Sequence, residues 1–165
     1  YLDLSFNELS HINFSYNTIY KLTQLNLKGN LFKHFEFELL KLISANMFLD
    51  LSQNCLKNLS SSFFSEFNQL RIMNLAKNSI SFIPSNFFTS FKILADLDLS
   101  QNIIEKIAFD AFKHLFKLGN LNISFNELKK IDDSLFKDLN RLIRLDVKKN
   151  HINYLDEHIF ENLIF

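Results

Sequence analysis

Hydrophobic and polar positions recur along this chain with a step of 24 residues, in register from end to end. The stretch Leu97-Asp98-Leu99-Ser100-Gln101-Asn102 shows the unit, and the asparagine is its clearest marker. Counting from it gives Asn7, Asn30, Asn54, Asn78, Asn102, Asn126 and Asn150, with a first step of 23 residues and five steps of 24. Apolar residues stand five and three positions before each marker, as in Leu97 and Leu99, and again two after it, as in Ile104. A fixed period of this size is the signature of a solenoid, in which each unit stacks on the next.

Residues 118–141 spell the full unit: Leu118, Leu121, Ile123, Asn126, Leu128, Ile131, Phe136 and Leu139. Whole units are expected at 22–45, 46–69, 70–93, 94–117, 118–141 and 142–165, with a shortened one at 1–21. The hydrophobic period changes within each unit. Around Leu121 and Ile123 apolar and polar alternate, which predicts a strand buried on one face. The three-residue spacing Phe136, Leu139, Leu142 predicts a short helical or 3₁₀ turn. Ser61, Ser85, Asp133 and Glu157 are candidate caps for those turns, and Pro84 stands just before one, where its missing N–H does no harm. No unit can bury its apolar residues alone, so stacked strands should form one parallel sheet over a continuous core. Seven strands spaced about 4.8 Å apart would make a sheet face roughly 30 Å long. The bulkier turns on the other side should curve the stack, with the strands on the concave face.

Composition narrows the function. The chain has 18 basic and 18 acidic residues, and neither half is notably basic: seven against six in 1–82, eleven against twelve in 83–165. That balance argues against a phosphate backbone as partner. No apolar run approaches the roughly 18 residues of a membrane span, so the segment should not insert directly into a bilayer. With one cysteine, Cys55, the redox compartment is not readable, and Gly29, Gly119 and Pro84 are too few to mark a linker. The whole of 1–165 therefore reads as a single array. No secretory leader precedes Tyr1, so an interior segment of a longer protein is expected.

The pattern Leu-x-x-Leu-x-Leu-x-x-Asn-x-Leu-x-x-Ile-x-x-x-x-Phe-x-x-Leu resembles the leucine-rich repeat family. The 24-residue length with its Phe is similar to the typical class, found in Toll-like receptor ectodomains and small matrix proteoglycans. The resemblance implies an α/β solenoid: a curved, right-handed coil with a parallel sheet on the concave face and short helical turns or loops on the convex face. It also implies that the asparagines, Asn7 to Asn150, point inward as a structural ladder bonding adjacent loops. Phe64, Phe88, Phe112, Phe136 and Phe160, with Leu40 in the earlier unit, should stack as a convex-side spine, where ring pairs add roughly 0.5–1.5 kcal/mol each.

Recognition is expected on the outward strand positions. Four before each marker the column alternates Asp and Asn: Asp3, Asn26, Asp50, Asn74, Asp98, Asn122 and Asp146. It reads as sheet stabilisation through spaced carboxylates or as an acidic strip that receives a partner. Six before the marker it varies: Tyr1, Gln24, Phe48, Ile72, Asp96, Asn120 and Arg144. Phe48 and Ile72, rimmed by Arg71, Asp96 and Asp98, have the make-up of a protein-binding hot spot. The candidate partner site is thus Phe48, Asp50, Arg71, Ile72, Asn74, Asp96, Asp98, Asn120 and Asn122. Asn46 stands where the unit expects Leu, so a register change could turn Met47 or Phe48 into the core instead. Phe6 and Phe125, each just before a marker, are further exposed candidates, and Arg141, Arg144, Lys148 and Lys149 make the last repeat locally basic.

Catalytic chemistry has no foothold. His11, His34, His114, His151 and His158 show no metal spacing, His34 with Glu36 and Glu38 reads better as variable loop, Cys55 lacks an acid–base partner, and no sequence feature asks for a cofactor. Asn13, Asn58 and Asn122 open glycosylation sequons, though in a chain this rich in Asn and Ser three are no evidence of secretion. The expected function is a non-enzymatic protein-interaction module, a ligand-binding repeat segment of a cell-surface or secreted receptor-like protein. Its partner would be a protein ligand, a co-receptor or a second copy. The alternatives are a matrix or adhesion scaffold, and a cytosolic repeat segment attached to another domain. The cysteine-rich caps of extracellular family members are absent from this stretch, which keeps a cytosolic placement open.

Overall fold

The computed structural model describes residues 1–12, 22–34, 43–59, 70–161 and 163, and the side chains of 43–47 are outside that description. Among the described residues nine short strands lie in order: β1 (Leu2–Asp3), β2 (Leu22–Asn26), β3 (Ile43–Asp50), β4 (Leu70–Asn74), β5 (Phe82–Ile83), β6 (Asp96–Asp98), β7 (Lys106–Ile107), β8 (Asn120–Asn122) and β9 (Arg144–Asp146). Seven of them form one all-parallel sheet in the order β1-β2-β3-β4-β6-β8-β9, one strand per repeat. β5 and β7 pair separately, also in parallel. An isolated parallel bridge joins His34 to Asn58, which lie at the same place in their own repeats. His34, Asn58, Phe82 and Lys106 stand at the same place in successive repeats, so both pairings keep the 24-residue step of the main sheet. The result is a parallel β-solenoid coil.

The apolar columns make the core. Leu25, Leu49, Met73, Leu97 and Leu121 are buried, as are Leu27, Leu51, Leu75, Leu99 and Ile123. Leu2, Leu4, Leu145 and Val147 hold the same columns in the outermost repeats and are only partly buried. A solenoid unit is covered only where a neighbour stacks on it. Phe88, Phe112 and Phe136 are buried, with rings 5.8 Å apart for Phe88–Phe112. Phe160 stacks on Phe136 at 6.4 Å but stays 39% exposed, so the last ring of the spine is half in solvent. Leu40, Ser61 and Phe64 lie outside the described residues.

The turn segments differ from the expected helices. Among the described residues there is no α- or 3₁₀-helix. Bonds from Ala111, Lys113, Leu115 and Leu118 N–H to the carbonyls of Ala108, Asp110, Phe112 and Leu115 are each of the i to i+3 kind, at 2.9–3.2 Å. They never fall on consecutive residues, as a helix requires. His114 and Asn86 take positive φ, 68° and 60°, which breaks any helical run. Linked turns still carry Phe112, Leu115 and Leu118 inward at three-residue spacing, so the hydrophobic pattern is met without a helix. The bonded caps also sit one residue earlier than expected. Asp132 accepts from Ser134 N–H at 3.1 Å and Asp156 from His158 N–H at 2.9 Å, in place of Asp133 and Glu157. An Asx turn reaches two residues ahead, which selects the earlier position.

Each marker asparagine binds two repeats. Asn102 Nδ2 donates to Leu99 O in its own repeat and to Leu75 O in the preceding one, both at 3.0 Å, while Oδ1 accepts from Ile80 N–H at 3.0 Å. Asn54, Asn78, Asn126 and Asn150 repeat that arrangement. Asn30 does so one residue closer, to Leu4 O and Leu9 N–H, matching the shorter first unit. Among the described residues Asn7 bonds only within its own repeat, to Leu4 O and Ser5 O.

Candidate functional site

The outward face of the sheet is built from two rows, because side chains two apart on a strand share a face. One row is Phe48, Ile72, Asp96, Asn120 and Arg144, paired strand to strand. The second is Asp50, Asn74, Asp98, Asn122 and Asp146. A groove of about 400 Å³ lies over both rows, and its lining includes Phe48, Ile72, Asn74, Asp96, Asp98, Asn120, Asn122, Arg144 and Asp146. Seven of the nine residues expected at a partner site therefore meet in one concavity, together with Arg144 and Asp146.

The other two stand apart. Asp50 is only 8% exposed and its carboxylate accepts from Ser52 N–H at 2.8 Å and from Asn74 Nδ2 at 3.3 Å. Arg71 is exposed but does not line the groove. Strand pairing slips between Met47 and Phe48, so that Met47 faces Leu70 and Phe48 faces Ile72. The anomaly at Asn46 is thus absorbed in the backbone pairing. Phe48 stays half-buried on the outward face rather than entering the core.

The alternating Asp and Asn row has a backbone task. In all seven repeats its side-chain oxygen accepts the N–H two residues ahead, from Asp3 with Ser5 to Asp146 with Lys148, at 2.8–3.1 Å. These Asx turns close the exit of each strand. The residue just before each marker then takes a left-handed φ of 54–68°: Phe6, Gly29, Gln53, Lys77, Gln101, Phe125 and Lys149. Six are not glycine. The conformation costs an L-residue roughly 1–2 kcal/mol, and in the first six repeats the same residue donates its N–H to the next repeat, as Lys77 does to Ser100 O at 2.9 Å.

The second carboxylate oxygens set the electrostatics of the face. Asp3 Oδ2 is already engaged: it accepts from Tyr1 Oη at 2.7 Å and Asn26 Nδ2 at 3.1 Å, and the hydrogen bonds from Ser5 and Tyr1 hold its carboxyl well below the usual range. Asp146 is paired with Lys148 Nζ at 3.2 Å. Asp96 accepts from Asn120 Nδ2 through Oδ1. Among the described residues, Oδ2 of Asp96 and Oδ2 of Asp98 have no hydrogen-bond or ion-pair partner, and neither does the Arg144 guanidinium.

Of the remaining candidates, Phe6 is 67% exposed and its ring lies 5.5 Å under Lys28 Nζ, while Phe125 lies 5.7 Å from Lys148 Nζ. These are cation–π pairs on the lateral edge beside the sheet. Asn122 Oδ1 accepts from Ser124 N–H at 3.1 Å and Ser124 Oγ at 2.7 Å, and its amide lines the groove. Asn58 is exposed, and Asn13 lies outside the described residues. Cys55 is a half-buried free thiol. No group of three His, Cys, Asp or Glu among the described residues could hold a metal, and no described helix is long and apolar enough to cross a membrane. Glu36 and Glu38, the companions considered for His34, are outside the described residues.

These features define a class: a parallel repeat solenoid whose strands, asparagine ladder and turn residues return every 24 residues. The profile described as Leucine rich repeat matches residues 68–128 and 116–163, and the chain belongs to the leucine-rich repeat family. A solved structure titled "Crystal structure of TLR13-ssRNA13 complex" superposes with a TM-score of 0.78 at 36% identity, over 86% of this chain. This chain spans only 20% of the length of that one. No curated protein sequence matches.

Proposed function

We propose that this chain is a non-enzymatic protein-binding module, the ligand-reading repeat segment of a receptor-like protein displayed at the cell surface or secreted. The ligand would lie against the outward sheet face, taken as the concave side of the coil. The observation that carries this reading is the groove, which joins the half-buried Phe48 and Ile72 to a polar floor in a single concavity. Apolar anchors inside a polar rim are the usual make-up of a protein-binding hot spot. The likeness to a Toll-like receptor structure supports the receptor-like setting and the extracellular or lumenal placement.

That structure is a complex with RNA, and RNA is the obvious rival ligand. A phosphate backbone needs a positive track. Here the groove sets Asp96, Asp98 and Asp146 against Arg144 alone, on a chain with no net charge. A polypeptide suits it better. The test is a screen of displayed extracellular proteins against the chain, followed by the Phe48→Ser/Ile72→Ser double variant. Binding should fall at least tenfold while the melting temperature stays within a few degrees. Binding that survives the double variant would place the ligand elsewhere.

A further inference from the structure

We infer that the groove selects an extended polypeptide segment in which an apolar side chain and an arginine or lysine stand two residues apart. The inference rests on the protein-binding reading above and names the ligand chemistry of that same site.

Along the sheet the carboxylates are not equivalent. Asp50 is buried and holds Asn74, and Asp146 holds Lys148. Only between them, at Asp96 and Asp98, do two carboxylates on one strand and one face each keep an oxygen without a partner among the described residues. Both are half-exposed, so the oxygens are hydrated in the free protein and available to a ligand cation. Two residues apart on a strand puts their Cα atoms about 7 Å from each other. Side chains leaning together from that separation can share one guanidinium, which offers five N–H donors in a planar fork. The Asp96 carboxylate is also positioned by Asn120, which binds its other oxygen.

The apolar pair lies beside this clamp at a defined distance. Ile72 is paired with Asp96 on the adjacent strand, and Phe48 is one strand further. At about 4.8 Å per strand, the midpoint of Phe48 and Ile72 is roughly 7 Å from Asp96. An extended peptide crossing the strands advances about 3.4 Å per residue and shows alternate side chains to one face. Its residues i and i+2 therefore match the apolar pair and the carboxylate pair. Beyond the clamp, Arg144 lies two strands on from Asp96, with no ion pair among the described residues. It disfavours a second ligand cation there, which confines the basic residue to one place.

The test uses this chain as it stands. A displayed library of random decapeptides is selected on it, and recovered peptides are re-measured on the Asp96→Asn/Asp98→Asn variant. Asparagine is the safe replacement because Asn74 and Asn122 already hold Asp98's column, with the same bond to the backbone two residues ahead. Denaturation curves confirm that the variant folds. The expected result is enrichment of peptides with Arg or Lys two residues from an apolar residue, in either chain direction, with Kd weakened at least tenfold on the variant and markedly by salt. Peptides that lack a basic residue, or that bind the variant equally well, overturn the inference; if Phe48→Ser/Ile72→Ser still removes them, the protein-binding reading survives. Recovery of no peptide also overturns it. In a parallel arm, a single-stranded RNA oligonucleotide that binds the groove in competition, through Arg144, overturns the inference and the protein reading together.

Discussion

Replacing Asn102 by alanine separates the two kinds of bond that the ladder makes. Asn102 is 7% exposed, and its side chain bonds four main-chain groups in two repeats, the longest of these bonds being to Ser100 O at 3.3 Å. The carbonyls of Leu75 and Leu99 each keep another amide donor, Asn78 Nδ2 and Asn126 Nδ2 respectively, at 3.0 and 3.1 Å. Losing one of two donors costs each carbonyl about 0.5–1.5 kcal/mol. Ile80 N–H has no such reserve: among the described residues it bonds Asn102 Oδ1 alone, and Ile80 is fully buried. Orphaning a buried donor costs about 1–3 kcal/mol. The sum is roughly 2–6 kcal/mol, a large part of the stability of a chain this size. Asn7 is the internal control, since it is exposed and, among the described residues, bonds only inside its own repeat. Asn7→Ala should cost about 1 kcal/mol or less. Urea denaturation followed by circular dichroism measures both. Asn102→Asp sharpens the test, because it keeps the acceptor but removes both donors and buries a charge. It should unfold more readily at neutral pH than in acid, where the carboxyl is neutral. Equal midpoint shifts for Asn7→Ala and Asn102→Ala would refute the inter-repeat reasoning.

Other outcomes follow from the lateral edge and the last repeat. A Cβ on Gly29, whose φ is +68°, would stand 2.6 Å from Phe6 Cδ1. Since six other residues accept the same left-handed conformation, Gly29→Ala should cost only about 1–2 kcal/mol, and part of that should vanish in a Phe6→Ala background, as a thermal double-mutant cycle would show. His158 is held above its ordinary pKa chiefly by the Glu161 carboxylate bonded to its ring. A raised folded-state pKa contributes stability that is full below the unfolded value and lost as pH rises through the folded one. NMR titration should show the His158 midpoint falling in Glu161→Gln, with the small acid-side stabilisation of the last repeat lost alongside it; an unmoved midpoint would disprove the pairing.

Much of the architecture was legible because a solenoid writes it into the chain one unit at a time. Leu97 and Leu99 must point inward in every copy, so their spacing reveals the strand and its buried face without any long-range information. The three-residue spacing of Phe112, Leu115 and Leu118 was legible in the same way, but it is shared by a 3₁₀ turn and by linked turns. Backbone dihedrals at Asn86 and His114 decided between them, and side-chain type does not dictate those. The bridge between His34 and Asn58 and the pairing of Phe82 with Lys106 left no compositional trace, because a main-chain ladder accepts any side chain. The Asx turns did leave one. Only Asp and Asn carry a short side-chain oxygen that reaches the N–H two residues ahead, and one or the other stands at all seven places.

By itself, then, the sequence determined the period, the parallel sheet, the apolar columns and the family, since all of these are local patterns repeated until they are unambiguous. Which outward residues meet was decided only in three dimensions. Asp50 and Asp98 sit in identical six-residue motifs, 49–54 and 97–102. One carboxylate is buried against Asn74, while the other keeps an oxygen open in the groove, beside Asp96. The physical reason is that a side chain's environment comes from the neighbouring strands, and those lie a full repeat away along the chain.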